Sequence, residues 1–383
     1  MASPTAQARH ILSPRFSVDA SPPPANLQPA QLPFIEEVKT RLRGGAYKLE
    51  RSPCPCGERE GAVISEVERY GLPLTSVVCT ACGTVRFDPY LDGPSLEDFY
   101  RRFYQKMYGR APDIESYFLR QQSYGEKILA AVGPSLAPGA WVFEVGCGSG
   151  GALEVFQAKG YRVAGCDYGG ELIEAGRRRG VQNIHHGSLT DLAAALGDVQ
   201  ADLIYLHHVF EHVIDPLAFL EECRGRLRPG GRVVIVVPDV SRIASYSYPA
   251  GDLLQFLHIS HKYNYSPEGM RALGGRAGYS VEALRPDPNI RTPCSHMPEL
   301  WVSMTAAAGE AGATTAGAKA AAHRDGGPRM LKYLRRTERL RSLGLCEAQL
   351  RSRTAGVRSY LSTNFARLTR LTPAKVVRRL KGS

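Results

Sequence analysis

The chain has 383 residues, 43% hydrophobic and 22% charged, an ordinary globular composition that excludes wholesale disorder and allows two or three domains. Its 39 glycines follow no strict period and its 9 cysteines are sparse, which excludes collagen-like and disulfide-scaffold classes. The net charge of +11 is uneven: residues 328–383 hold 15 Lys and Arg against Glu338 and Glu347, so the first 327 residues carry a net −2, and the basicity belongs to the tail.

No run of about 18 apolar residues exists, so no membrane-spanning helix is expected. The N-terminus MASPTAQARHILSPRF has no continuous apolar core of the kind a secretory signal needs. Both point to a reducing cytoplasm, where clustered cysteines more often hold a metal than a disulfide. Residues 1–32 are rich in Pro, Ala and Ser and read as a flexible N-terminus. Within 33–94, LPFIEEVKTRL predicts a short helix, and Cys54-Pro55-Cys56-Gly57 and Cys79-Thr80-Ala81-Cys82-Gly83 predict a small metal-stapled module. Four thiolates complete a tetrahedral zinc site, and the glycines allow the tight turns it needs. The first pair is C-x-C, shorter than the usual C-x-x-C, and a redox pair is the alternative. The other cysteines, Cys147, Cys166, Cys223, Cys294 and Cys346, are dispersed and expected to be reduced. Residues 95–139 read as a helical connector. Its aromatics, among them Tyr100, Tyr104 and Tyr117, suit interdomain packing, with a substrate wall as the alternative.

From 141 the chain alternates. Strands are predicted at 141–145, 162–167, 201–208, 232–238, 279–286 and 299–306. Helices are predicted over GALEVFQAKG, GGELIEAGRRRG, PLAFLEECRGRL and SPEGMRALGGRAG, the last begun by Ser266 as N-cap with Pro267 at the first helical position. This is the pattern of a mostly parallel sheet covered by helices on both faces, an α/β fold. Residues 307–327, rich in Ala and Gly, read as a linker. Residues 328–383 read as a basic helical tail whose leucines could line one face. Such a tail packs on the body or touches an anionic membrane surface, an acidic glycan or nucleic acid.

The segment Phe143-Glu144-Val145-Gly146-Cys147-Gly148-Ser149-Gly150-Gly151 follows a strand and opens a helix. Gly146, Gly148 and Gly150 let backbone approach a ligand closely. The spacing is G-x-G-x-G, not the G-x-G-x-x-G of dinucleotide loops. Glu144 would repel a pyrophosphate and attract a cationic amino-acid group. Asp167, closing the next strand, can accept the hydroxyls of a ribose. Together these suit S-adenosylmethionine, which has a ribose, an adenine and an amino-acid end but no phosphate.

On these residues, with CDYG, ADLIYLHHVFEHVIDP and LRPGGRVVIVVPD in the same order, the span 140–306 resembles the Rossmann-like (class I) S-adenosylmethionine-dependent methyltransferases of the ubiquinone-biosynthesis type. The resemblance implies a doubly wound, seven-stranded, mostly parallel sheet with the last strand antiparallel. It also implies that Glu144 and the loop hold the methionine moiety and that Asp167 binds ribose. By the same mapping Tyr168, Ser188 and Leu189 flank adenine, and His207 lies near the sulfonium. The cysteine run CTACGTVRFDPYL resembles a zinc-ribbon-like module found ahead of some sugar methyltransferases. His208 and His212, after the fourth strand, and His261, in LLQFLHISHKYNYSPEG, are candidate bases, since imidazole titrates in the useful range. H-x-x-E-H also matches a zinc-protease signature, but its strand–loop context belongs to the methyltransferase.

The expected function is methyl transfer from S-adenosylmethionine to a small-molecule acceptor, a sugar or glycan precursor or related metabolite. Alternatives are a nucleic-acid methyltransferase recruited by the tail and a non-catalytic binding protein that keeps the cofactor fold.

Overall fold

The computed structural model describes residues 9–19, 27–108, 113–245, 251–293, 295, 297–306 and 325–343. Helix α1 (Leu32–Arg43) turns Ile35, Val38 and Leu42 inward at three- and four-residue spacing, which gives it one apolar stripe. The cysteine region supplies β1 (Leu49–Glu50), β2 (Gly61–Ser65), β3 (Ser76–Cys79), β4 (Val85–Phe87) and β5 (Tyr90–Leu91). The connector is α2 (Gly93–Phe99), a π-helical turn (Tyr100–Tyr104), α3 (Gln105–Tyr108) and α4 (Ile114–Val132). Asp92 and Asp113 start α2 and α4 by accepting from Ser95 N and Ser116 N, each satisfying a helix-end amide.

β6 (Trp141–Val145), α5 (Gly151–Ala158), β7 (Arg162–Asp167), α6 (Gly170–Arg178), β8 (Ile184–His186), α7 (Leu189–Leu196), β9 (Ala201–His207), α8 (Pro216–Arg226) and β10 (Leu227–Pro238) then alternate. β11 (Tyr263–Asn264), α9 (Pro267–Arg276), β12 (Tyr279–Ala283), β13 (Glu299–Ala306) and α10 (Gly326–Ser342) complete the described chain. The central sheet has seven strands in the order β12-β13-β10-β9-β6-β7-β8. β13 runs antiparallel to both of its neighbours, while β6–β10 pair in parallel, as the sequence predicts. Alternate residues face two apolar layers: Val142, Leu203, Tyr205 and Val234 on one side, Phe143, Ile204, Leu206 and Val233 on the other. Burial on both faces explains why these strands read as continuous apolar runs. Ser266 does cap α9, its hydroxyl accepting from Gly269 N at 2.9 Å. The sequence reading names neither β8 nor α7; a three-residue strand is too short to show a period.

Two expected boundaries move. The antiparallel sheet of the cysteine region has the order β11-β4-β3-β2, so its fourth strand comes from 263–264, inside the span assigned to the methyltransferase domain. The stretch expected to be flexible also packs where it is described: Phe16 is wholly buried in a core that joins α1, the cysteine sheet, Leu253–Leu257 and, from α10, Met330 and Leu334. Arg15 holds Glu338 of α10 and Asp252. The start of the basic tail is therefore a packed helix with an outward arginine face. Tail residues beyond 343 and the expected linker up to 324 lie outside the described residues. No helix among the described residues is long and apolar enough to cross a membrane.

Gly125 of α4 lies against α5, where an added Cβ would meet the Ala152 backbone at 2.7 Å. Gly125→Ala should therefore destabilise by about 1–3 kcal/mol, despite the gain of roughly 1 kcal/mol in helix propensity. A urea midpoint that falls confirms this; one that rises shows that the helices can separate freely.

Candidate functional site

The glycine loop between β6 and α5 is held open from three sides. Gly146, Gly148 and Gly150 adopt φ of +75°, +53° and +76°, the left-handed region that Cβ-bearing residues avoid. A Cβ at these positions would come within 2.3 Å of Val209, 2.7 Å of the Tyr117 hydroxyl and 2.8 Å of Val181. Gln121 of α4 spans the loop: its Nε2 donates to Cys147 O at 2.7 Å, and its Oε1 accepts from the Ser149 hydroxyl at 2.7 Å and from Ser149 N at 3.1 Å. Asp167, at the end of β7, accepts from Gly148 N at 2.9 Å and from Gly169 N at 2.7 Å. A carboxylate offers about four acceptor positions, so these two amides leave two for ribose hydroxyls.

Glu144 lies beneath the loop, 3% exposed, with Oε2 lacking a hydrogen-bond partner. Burial pushes its carboxyl up to about 8, with the nearby Tyr205 hydroxyl opposing and the charge of Asp167 adding to the effect. An orphaned buried carboxylate oxygen is costly, and the ammonium of an amino-acid moiety would satisfy it.

The other cofactor candidates divide. Tyr168 is 74% exposed, directly after β7, with its ring edge to face with that of His186. Ser188 caps α7, its hydroxyl and amide both engaged by Asp191. Leu189 is not a free wall: it is buried in the core with Leu192 and Leu206, because the first turn of α7 must bury an apolar face. His207 stacks on Tyr124 at 4.3 Å, at the carboxyl edge of the sheet.

Of the three candidate bases, His208 has both ring nitrogens turned to carboxylates. Nε2 is 3.1 Å from Glu299 Oε1, and Nδ1 is 3.6 Å from Glu211 Oε1. Burial opposes its charge, yet the two carboxylates outweigh it and hold its pKa well above the ordinary value. The two carboxylates thus favour its charged form, which makes His208 a weaker candidate base than His212 or His261. Its φ of +55° is strained for a residue with a Cβ, and the two carboxylates help fix it. His212 and His261 stand edge to face, 4.8 Å apart. Burial lowers both pKa values, that of His261 to about 3 with His212 adding to the effect, so both imidazoles are neutral near pH 7. Tyr100 touches His212 Nδ1 through its hydroxyl at 3.2 Å, and Tyr104 lies beside Tyr100 and His212. Part of the connector's aromatic set thereby packs against these histidines, while Phe99, Phe103 and Phe118 are buried in the core.

Sequence reasoning missed Gln121 and Glu299; Tyr100 and Tyr117 it named as packing aromatics, with a substrate wall as the alternative. Of the two missed, Glu299, an acid opening a predicted strand, carried some local signal.

The four cysteines converge. Cys54 and Cys82 have Sγ atoms 3.6 Å apart, as do Cys56 and Cys79, and all four sulfurs lie within 4.8 Å of one another. A tetrahedron with metal–sulfur bonds of ~2.3 Å has edges of about 3.8 Å, so the spacing fits a single ion despite the short first pair. Gly57 and Gly83, at φ of +99° and +77°, make the two knuckles. Arg86, 0% exposed, ties the first knuckle to the sheet by donating to Ser52 O and Arg59 O and pairing with Asp88.

Replacing Gln121 with Leu leaves Cys147 O and Ser149 N without this partner in a buried loop. The expected loss is about 1–3 kcal/mol per orphaned group, read as a fall in the urea midpoint; an unchanged midpoint would show that the loop holds itself.

Residues 143–235 match the family described as "Methyltransferase domain". An uncharacterized 37.1 kDa transposon protein of Streptomyces fradiae is 30% identical over 183 residues, 45% of this chain and 49% of that protein. A protein of Mycolicibacterium smegmatis named as a probable S-adenosylmethionine-dependent methyltransferase is 32% identical over 126 residues, 33% of this chain and 47% of that one. A ubiquinone biosynthesis O-methyltransferase of Xanthomonas campestris is 33% identical over 103 residues, 26% of this chain and 43% of that enzyme. The chain thus spans about half the length of the relatives it matches. Among solved structures, the plantazolicin methyltransferase BamL, in complex with an analogue and SAH, is 12% identical with a TM-score of 0.41, covering 55% of this chain and 94% of that one. Over residues 143–235 the chain is similar to methyltransferase domains, and its seven-stranded, mostly parallel sheet with an antiparallel last strand matches a Rossmann-like methyltransferase fold.

Proposed function

We propose that the chain transfers the methyl group of S-adenosylmethionine to a small-molecule acceptor bound beside Tyr100, Tyr104, His212 and His261. The observation that carries this reading is the orphaned Glu144 Oε2 under a glycine loop that Asp167 and Gln121 hold open. The donor brings a sulfonium leaving group, so the protein's share is orientation and exclusion of water. Glu144 would hold the methionine ammonium, Asp167 the ribose, and Tyr168 would flank adenine. His207 and Tyr124, stacked at the sheet edge, would face the sulfonium end. His212 and His261, neutral and paired, are the side chains able to receive a proton from the acceptor. A hydroxylated metabolite, such as a sugar or glycan precursor, is the acceptor class we favour. Polar aromatics and imidazoles suit hydroxyl groups, and the matched relatives include enzymes named as O-methyltransferases.

The cysteine cluster fits a structural zinc ion that fixes the two knuckles. Such an ion supplies folding energy rather than chemistry.

Calorimetric titration with S-adenosylhomocysteine tests the donor site. Binding abolished in Asp167→Ala is the expected result; a folded wild-type protein that binds none overturns the reading. Glu144 adds a pH signature. Its carboxyl is raised to about 8 in the free protein, so the ionised form that the ammonium needs grows as pH rises toward 8. Affinity should therefore increase from pH 6 to 8, with proton release on binding at pH 7, and Glu144→Gln should flatten that dependence. For the cysteines, cobalt substitution should give a thiolate charge-transfer band, lost in Cys79→Ser together with a large part of the thermal stability. A cobalt-loaded protein without that band would exclude the thiolate site.

A further inference from the structure

Three groups of side chains among the described residues could hold a metal ion: the four cysteines; His207, His208 and Glu299; and Glu211, His212 and His261. The second group satisfies itself. Glu299 accepts from Trp301 Nε1 at 3.0 Å, pairs with Lys127 at 3.5 Å and engages both histidines. The third group does not. Glu211 is 1% exposed, and neither carboxylate oxygen has a hydrogen-bond partner. The nearest charged atom recorded for Glu211 is His208 Nδ1 at 3.6 Å. His261 Nδ1 is likewise buried without a partner. These three positions lack a hydrogen-bond partner, the Glu211 carboxylate facing only the His208 ring at ion-pair range, and buried polar atoms left so are costly.

One cation would meet all three. The ligand atoms of Glu211, His212 and His261 lie within 4.8 Å of one another, and two imidazoles with one carboxylate form a facial set that leaves further positions open. The supports that orient such ligands are also in place. The Tyr100 hydroxyl meets His212 Nδ1, His208 flanks Glu211, and His258, fixed by Ser260 and Tyr70, stands beside His261. The sequence signature H-x-x-E-H would have joined His208 and His212 on one ion. The fold instead sends His208 to Glu299 and brings His261 in from beyond β10.

We propose that Glu211, His212 and His261 bind a divalent transition-metal ion in the acceptor pocket, separate from the cysteine site. The binding stands on the triad alone; what the ion does rests on the methyl-transfer reading above. There, with the ion bound, it would replace His212 and His261 as the group that activates the acceptor, taking the hydroxyl oxygen as a ligand and lowering its pKa. The O–H bond breaks with the proton passing to water. The oxygen then bonds the methyl carbon as the S–CH3 bond breaks, and that electron pair stays on sulfur.

The test uses the full chain, loaded with zinc at the cysteines and titrated with Co2+ under visible spectroscopy and metal analysis. Expected is one further equivalent of Co2+ with nitrogen/oxygen-type bands and no added thiolate band. His261→Gln and Glu211→Gln should lose that equivalent, Tyr100→Phe should weaken it roughly tenfold, and exposed His186→Gln should leave it unchanged. His261→Gln should still bind S-adenosylhomocysteine, which shows that the variant is folded and keeps failure of this site distinct from failure of the donor site. No further equivalent in the zinc-loaded wild type, or uptake that survives in His261→Gln, overturns the proposal. Should Glu211→Gln fail to fold, His261→Gln alone decides.

Discussion

The Glu299 carboxylate is buried at the start of β13 with Lys127, Trp301, His207 and His208 arranged around it. Burial opposes its charge, but the two imidazoles hold it well below the usual carboxylate range. That single anion ties three separate elements together: the antiparallel strand, α4 and the end of β9. It favours the charged form of His208, and His208 in turn faces Glu211. The polar interior at the sheet edge thus sets carboxylate, imidazole and carboxylate in series. Breaking one member of such a buried series leaves its neighbour uncompensated, the costly case for interior charges.

α4 gives the glycine loop and the His207–Glu299 cluster a common wall. Gln121 and Tyr117 touch the glycine loop, Tyr124 stacks on His207 and Lys127 reaches Glu299. These residues recur at three- and four-residue intervals, so they share one helix face. A rigid helix packed closely on α5 at Gly125 can hold the loop and the histidines in fixed relation, which positioning chemistry needs.

Much of this was legible from the chain. The strands of the central sheet declare themselves through apolar runs between turn residues, as in Val233–Val237, and Ser266-Pro267 marks its helix by local capping chemistry alone. The glycine loop and the turns of the two cysteine pairs were visible in the chain because their local geometry is set within a few residues. What escaped depends on partners far away in sequence. The environment of His208 is made by a residue 91 positions later, β11 joins a sheet whose other strands end near residue 87, and Phe16 is buried by a core drawn from both ends of the chain. Leu189 was misplaced for a related reason: a motif fixes a position along the chain but not which way a capped helix turns its first leucine.

The cysteine sheet also sets an order of events during synthesis. Its hairpin of β2, β3 and β4 leaves the ribosome early, but its fourth strand lies some 180 residues later, and Gly326 and Gly327 of α10 close against Thr80 and Cys82 later still. At roughly 5–20 residues per second, the hairpin waits on the order of ten seconds or more with an unpaired edge. A thiolate-bound ion captured in that interval would keep the two knuckles in register until the rest of the chain arrives to cover them. Long-range strand pairing of this kind folds slowly. The early cysteine pairs would thereby act as a holding clasp for a nascent chain in which Phe16 and the much later Met330 and Leu334 must finally pack in one core.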